Sequence, residues 1–228
     1  MLYAGTGDLR FGSFSFGANG VLKSTDAGET WAVKGADVFN PFYPPSANGF
    51  PQYQSIGKVA VDPNDSNKVL AGTKTGLFIS YDAGDNWTGP CLANGFTSQR
   101  QDTTGLILRD VGTSTEVIVA IGTRGFETPV QPNLNQNGAN GLYKASLPAS
   151  GCPTDFAAIS RADNGWPVGT ASGAPTPANT LGRVDIAVSP SNNSVLYAQV
   201  GVISAASPTI LGVWRSTDAG TSWTQATV

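Results

Sequence analysis

One eight-residue pattern occurs three times in this chain, and it limits the fold more than any other feature. Ser24-Thr25-Asp26-Ala27-Gly28-Glu29-Thr30-Trp31, Ser80-Tyr81-Asp82-Ala83-Gly84-Asp85-Asn86-Trp87 and Ser216-Thr217-Asp218-Ala219-Gly220-Thr221-Ser222-Trp223 align without gaps. Each comes after a glycine and a short apolar run: Gly20-Val21-Leu22, Gly76-Leu77-Phe78 and Gly212-Val213-Trp214. A decayed fourth copy begins Gly141-Leu142-Tyr143-Lys144-Ala145-Ser146 and loses its acidic residue before Asp155. Self-similarity at spacings of several tens of residues is the signature of stacked units, none of which buries its apolar face alone.

The octamer has a local physical logic. A short carboxylate in a tight turn accepts hydrogen bonds from nearby backbone N–H groups. Gly28, Gly84 and Gly220, two residues beyond Asp26, Asp82 and Asp218, supply a positive φ that a β-carbon would penalise. Trp31, Trp87 and Trp223 then open the return strand, where a large ring is expected to be buried between sheets. The turn residues are therefore expected to be structural, and the three tryptophans to be buried anchors.

The segments upstream repeat as well. Lys58-Val59-Ala60-Val61-Asp62-Pro63-Asn64 matches Arg183-Val184-Asp185-Ile186-Ala187-Val188-Ser189-Pro190. Both lead into apolar runs, Val69-Leu70-Ala71-Gly72 and Val195-Leu196-Tyr197-Ala198. Each unit reads as strand a, turn, strand b, loop, strand c, octamer turn, strand d, and no stretch has a helical period. Gly and Pro supply 43 of the 228 residues, 28 and 15 respectively, which suits many short strands.

Composition removes several function classes. A net charge of −3 gives no basic surface for tracking a nucleic-acid backbone. With no histidine, His-based acid–base catalysis and the commonest zinc ligand are absent, and two cysteines, Cys91 and Cys152, are too few for a thiolate site. No metal and no cofactor is expected. Asp62-Pro63-Asn64-Asp65-Ser66-Asn67 superficially looks like a calcium loop but lacks its glycine and closing glutamate, so it reads as a turn. No run approaches the roughly 18 apolar residues of a membrane helix. Sparse Lys and Glu, a single Met and Asn/Thr-rich loops favour an extracytoplasmic protein (periplasmic or secreted) whose targeting segment is absent from this chain. Cys91 and Cys152 could then form one disulfide.

The S-x-D-x-G-x-T-W octamer resembles the Asp-box, or bacterial neuraminidase repeat. The resemblance covers essentially the whole chain and implies an all-β β-propeller of four-stranded antiparallel blades. Four blades are expected, at approximately 1–54, 55–104, 105–180 and 181–228, with the first lacking strand a, for about 15 strands. That count leaves three alternatives: a larger propeller of which these blades are part, completion by a partner chain, or a three-stranded first blade. Proteins with such blades include sialidases, xyloglucanases and sortilin-like receptors, so the motif speaks for fold far more than for function.

Loop length differs between the two ends of the blades. The a–b and c–d turns are mostly short, whereas Gly7 to Asn19, Gly35 to Gln54, Gly89 to Thr104, Arg124 to Asn140, Arg161 to Thr180 and Gly201 to Ile210 are long. Only the Lys74-Thr75 connection departs from this pattern. Long loops without structure of their own tend to carry function. The long-loop face gathers Arg10, Phe11, Phe14, Phe16, Phe42, Tyr43, Phe50, Tyr53, Arg100, Arg124, Phe126 and Trp166 as binding candidates. Rings with arginines suit sugar stacking or a protein interface; loops folding back over the rings would instead make satellite clusters of the core.

Catalytic signals are weak. Glycoside hydrolysis needs two flanking carboxyl groups, and Asp8, Asp102, Glu127 and Asp163 are the long-loop candidates. No arginine precedes an apolar-Pro pair, which argues against the sialidase arginine triad that the resemblance would imply. Xyloglucanase-like enzymes place one catalytic Asp in each of two propellers, more than this chain holds. The resulting expectation is a non-catalytic binding or scaffold propeller, such as an accessory subunit of a larger assembly, with a protein or polysaccharide partner. The alternatives are a fragment of a glycoside hydrolase and a non-catalytic glycan-binding module.

Overall fold

Short apolar runs separated by Gly, Asn, Asp and Pro form strands throughout. The computed structural model describes residues 1–9, 18–39, 54–91, 102–122, 141–167, 181–202 and 209–226. The first sheet holds β1 (Leu2–Gly5), β2 (Val21–Ser24) and β3 (Ala32–Lys34). The second holds β4 (Ile56–Val61), β5 (Val69–Thr73), β6 (Gly76–Ser80) and β7 (Thr88–Cys91). The third holds β8 (Asp102–Asp110), β9 (Thr115–Gly122), β10 (Gly141–Ser146) and β11 (Ala157–Ala158). The fourth holds β12 (Leu181–Ser189), β13 (Asn192–Val202), β14 (Thr209–Ser216) and β15 (Thr224–Gln225). Every sheet is an antiparallel meander in chain order. The fold is all-β, an arc of a β-propeller with one three-stranded and three four-stranded blades.

Two short helical turns interrupt the all-strand expectation, and both come directly after the outermost strand of a blade. They are α1 (Ala36–Phe39) after β3 and a one-turn 3-10 helix (Ala162–Asn164) after β11. Too short to leave a period in the sequence, they place Phe39 and Trp166 against the next blade.

The core is divided among the blade interfaces. Successive side chains on a strand point to opposite faces, so each inner strand serves two interfaces. Ala71 faces back toward blade 1 with Phe78, whereas Leu70 and Leu77 face forward to Leu106, Val117 and Val119 of blade 3. Ile118, Ala120 and Leu142 face forward in turn, onto Val184, Ile186, Leu196 and Trp214 of blade 4. Each fully buried aliphatic side chain here contributes about 1.5–3 kcal/mol of hydrophobic stabilisation. Glycine lets the inner strands approach. A β-carbon on Gly5 would lie 2.6 Å from the Ile56 carbonyl, and one on Gly72 would lie 2.8 Å from the Thr103 methyl. Near the axis, Lys58 of β4 reaches Asp185 of β12 at 2.9 Å, tying blade 2 to blade 4 across blade 3.

The three octamers have the same internal geometry. The Ser24, Ser80 and Ser216 hydroxyls donate to Asp26, Asp82 and Asp218 at 2.8 Å, and accept the Gly28, Gly84 and Gly220 N–H groups at 2.8 Å. Each Asp also accepts the backbone N–H of the seventh octamer residue: Thr30 at 3.0 Å, Asn86 at 2.8 Å and Ser222 at 2.9 Å. The side chain of that seventh residue donates to the same carboxylate. This explains why position seven is Thr, Asn or Ser. The glycines take the expected positive φ, and Ala27, Ala83 and Ala219 just before them do so too, at 61°, 59° and 58°. Two consecutive left-handed residues make the turn tight.

The tryptophans do not behave alike. Trp223 is 3% exposed and donates its indole N–H to the Ile159 carbonyl of blade 3. Trp87 is half-buried against Phe39. Trp31 is 44% exposed, which corrects the expectation that all three are buried. Trp87 and Trp223 each pack on the helical turn that leaves the outermost strand of the preceding blade, and no described blade precedes Trp31. In blade 3, where the octamer has decayed, Cys152 forms a disulfide with Cys91 at the end of β7.

Candidate binding face

Strand direction assigns each connection to one end of the arc. The connections β1–β2, β3–β4, β7–β8, β9–β10, β11–β12 and β13–β14 emerge at one end, and the octamers at the other. The β13–β14 connection is shorter than expected, because β13 runs to Val202 and β14 starts at Thr209. Arg10, Phe11, Phe14, Phe16, Phe42, Tyr43, Phe50, Tyr53, Arg100, Arg124, Phe126 and Glu127 lie outside the described residues.

Four sequence candidates are described at least in part. Trp166 is 3% exposed and packs edge-on against Trp223, with ring centroids 5.2 Å apart, and at 6.3 Å from Trp214. It belongs to the core between blades 3 and 4 and is not a ligand platform, a correction to the sequence reading. A single tryptophan in a long loop gives no sign that the loop turns inward. Asp163 is exposed and paired with Arg161 at 2.9 Å, at the outer edge of blade 3. Asp8 is half-buried just beyond β1, and Asp102 opens β8. Asp8 thus stands in blade 1, whereas Asp102 and Asp163 stand at the innermost and outermost edges of blade 3.

A polar cluster that sequence reasoning missed underlies the long-loop end, at the inner strands of blades 2 and 3. Gln54 and Ser55 lead into β4, Thr73-Lys74-Thr75 makes the tight β5–β6 connection, and Thr103 and Thr104 open β8. All seven are buried. The Gln54 amide donates to Thr75 Oγ1 at 2.6 Å, Thr73 Oγ1 lies 3.0 Å from Thr75 Oγ1, and the Lys74 N–H donates to the Ser55 carbonyl at 3.2 Å. Lys74 is 1% exposed. Gln54 Oε1, Ser55 Oγ and Thr103 Oγ1 have no hydrogen-bond partner among the described residues. Unmet polar capacity in buried positions is costly. The hydroxyl and amide groups of the cluster both donate and accept, a set suited to neutral hydroxyl-rich groups. Its sequence signal was the one short connection at the long-loop end, Lys74-Thr75.

The acidic residues of the octamers are committed to turn architecture. Burial tends to raise the Asp82 carboxyl, but the Asn86 backbone and side chain and the Ser80 hydroxyl outweigh it and bring it to about 2. Asp218 is lowered to about 2, first by the Ser222 side chain and then by the Ser222 N–H. Asp26 is lowered by the Thr30 hydroxyl and N–H and by Ser24. Groups this strongly ionised are poor general acids at neutral pH. Among the described residues no cluster of His, Cys, Asp or Glu could hold a metal ion, and no helix is long and apolar enough to cross a membrane.

No protein-family profile matches the chain, and no curated protein sequence matches it. Solved structures do. The xyloglucanase of glycoside hydrolase family GH74 from Xanthomonas campestris superposes with a TM-score of 0.57 at 19% identity, covering 99% of this chain and 28% of that one. The GH74 enzyme from Niastella koreensis gives 0.52 at 21% identity, over 91% of this chain and 26% of that one. An ancestral GH74 enzyme gives 0.51 at 18% identity, over 99% and 24%. At these identities the likeness establishes the fold. The chain spans about a quarter of the length of these structures.

Proposed function

We propose that this chain is a non-catalytic β-glucan-binding arc of an Asp-box propeller, contacting its polysaccharide through the long-loop end. The observation that carries the reading is the similarity to GH74 enzymes, one of them a xyloglucanase, over 99% of the chain. The neutral polar groups of Gln54, Ser55, Thr75 and Thr103 underlie the end from which the aromatic loops spring, which supports a sugar ligand. Asp8, Asp102 and Asp163 are spread over blade 1 and the two opposite edges of blade 3, which favours binding over hydrolysis. The Cys91–Cys152 disulfide supports an oxidising, extracytoplasmic compartment.

The second reading, a catalytic piece of a glycoside hydrolase, is favoured by the same structural neighbours. Affinity electrophoresis in gels containing xyloglucan, mixed-linkage glucan or no polysaccharide, run beside a reducing-sugar assay, separates the two. Retardation without release of reducing ends is expected. Release of reducing ends would establish the hydrolase reading, and unretarded migration in every gel would overturn sugar binding.

A further inference from the structure

Blades 3 and 4 are joined through one dipeptide, Asn164-Gly165, where the 3-10 turn ends. Asn164 is buried, and both ends of its side-chain amide are engaged. Oδ1 accepts the Arg161 N–H at 3.0 Å. Nδ2 donates to the Ile159 carbonyl at 2.9 Å and, across the junction, to the Thr221 carbonyl of the blade 4 octamer at 3.3 Å. The Asn164 backbone carbonyl accepts the Trp223 N–H at 2.7 Å. The Ile159 carbonyl also receives the Trp223 indole N–H at 2.8 Å. One asparagine therefore ties the outer edge of blade 3 to blade 4.

Gly165 is as tightly specified. Its φ is 84°, and a β-carbon there would overlap the Trp223 carbonyl oxygen, so only glycine fits. Packing demands the glycine and hydrogen bonding demands the asparagine. Side by side they make a chemically labile pair, because a glycine puts no side chain in the way of attack by its own nitrogen on the preceding amide. Asparagine is already among the thermolabile residues.

We propose that Asn164 is a deamidation site gated by the blade 3–4 junction. While the blades are in contact, the bonds to Arg161, Ile159 and Thr221 hold the side chain and keep Cγ away from the Gly165 nitrogen. Gly165 itself is exposed, so the restraint is this bonding and not the exclusion of water. When the junction opens, the Gly165 nitrogen attacks Asn164 Cγ and a C–N bond forms. The bond from Cγ to Nδ2 breaks, Nδ2 takes up the Gly165 proton, and ammonia leaves a cyclic imide. Water then opens the ring to aspartate or isoaspartate. The product opposes reclosure: an aspartate places a carboxylate oxygen against the Ile159 and Thr221 carbonyls, where Nδ2 had donated, and a buried charge without donors is costly. Isoaspartate adds a carbon to the main chain and displaces the carbonyl that Trp223 uses.

Peptide mapping by mass spectrometry, on chain incubated over a guanidinium series, tests the gate. In the native chain Asn164 should deamidate at least about tenfold more slowly than in the fully unfolded chain, with the rate rising before the global unfolding transition, as local opening requires. Equal rates in both states overturn the proposal, and so does a rise that only follows global unfolding. The second arm tests the product. Trp166, Trp214 and Trp223, three of the five tryptophans, line this junction, so tryptophan emission reports its opening. N164D should shift emission to the red while keeping the native circular dichroism spectrum, and N164S, which removes the amide without adding charge, should shift it less. Equal shifts, or none, overturn the block to reclosure; if N164D does not fold, the guanidinium series on the unaltered chain still decides.

Discussion

Each blade meets the next at the same place, yet the contacts there are chemically different. Between blades 1 and 2, Phe39 stands edge-on to Trp87 with centroids 5.1 Å apart. Between blades 3 and 4, Trp166 stands edge-on to Trp223 at 5.2 Å. Between blades 2 and 3 the same junction is a covalent bond, Cys91 to Cys152. In all three, the end of one outer strand, or the helical turn just beyond it, meets the c–d connection of the next blade. The architecture fixes the location, and an aromatic pair or a disulfide satisfies it equally well. The octamer decays in the one blade where the disulfide holds this junction.

Removing the ring from each octamer in turn tests the comparison most strongly. Trp223→Ala empties a site sealed on all sides and should cost about 3–5 kcal/mol. Trp87→Ala should cost less, and Trp31→Ala below about 1 kcal/mol in the single chain, where no described blade covers it. Urea unfolding of the three variants measures the series; equal losses would mean that the tryptophans act within their own turns and not as interblade contacts. The disulfide comes next. Its cysteines are 61 residues apart, and the chain-entropy relation gives about 4 kcal/mol for a loop of that order. Cys152→Ser should therefore lower stability comparably, and added reductant should leave this variant unchanged while lowering the wild-type midpoint.

Smaller effects belong to the turns themselves. Asp82→Ala strips hydrogen bonds from Ser80 and Asn86 and should cost about 1–2 kcal/mol, limited by solvent access. Asp82 and Asp218 titrate near 2 in the folded chain, against about 3.9 unfolded. Because the folded values are the lower ones, their contribution is present above about pH 4 and disappears as pH falls through 2. The urea midpoint should fall over that window, and less steeply in Asp82→Asn. The mildest change is Ala27→Gly. It relieves a left-handed alanine at φ 61° and should stabilise by up to about 1 kcal/mol, net of the added chain entropy. A lower melting temperature would show that the turn tolerates its alanine without strain.

The sequence was most legible where the determinants are local. Ser24, Asp26 and Gly28 act within one turn, and their spacing announces it. The alternation of Leu70 with Ala71, and of Val117 with Ile118, marks strands whose two faces both meet apolar neighbours. Burial of Trp31 and Trp166 was misread because it depends on a different blade. Trp31 lacks a preceding described blade, whereas Trp166 meets Trp214 and Trp223, roughly 50 residues further along. The Gln54–Thr75 cluster escaped notice for the same reason, since none of its residue types is unusual alone. Its members meet only when β4, β5 and β8 lie against one another.

The ion pair between Lys58 and Asp185 has a geometric consequence. It joins the innermost strands of second-neighbour blades, so it acts as a chord across the arc, and a chord of fixed length sets the angle between successive blades. Both side chains keep access to water, about a third of each remaining exposed, so the pair adds little to stability. Its effect is on curvature. Lengthening the acidic arm with Asp185→Glu would relax the arc, and cutting the chord with Lys58→Met would leave its radius to the apolar packing alone.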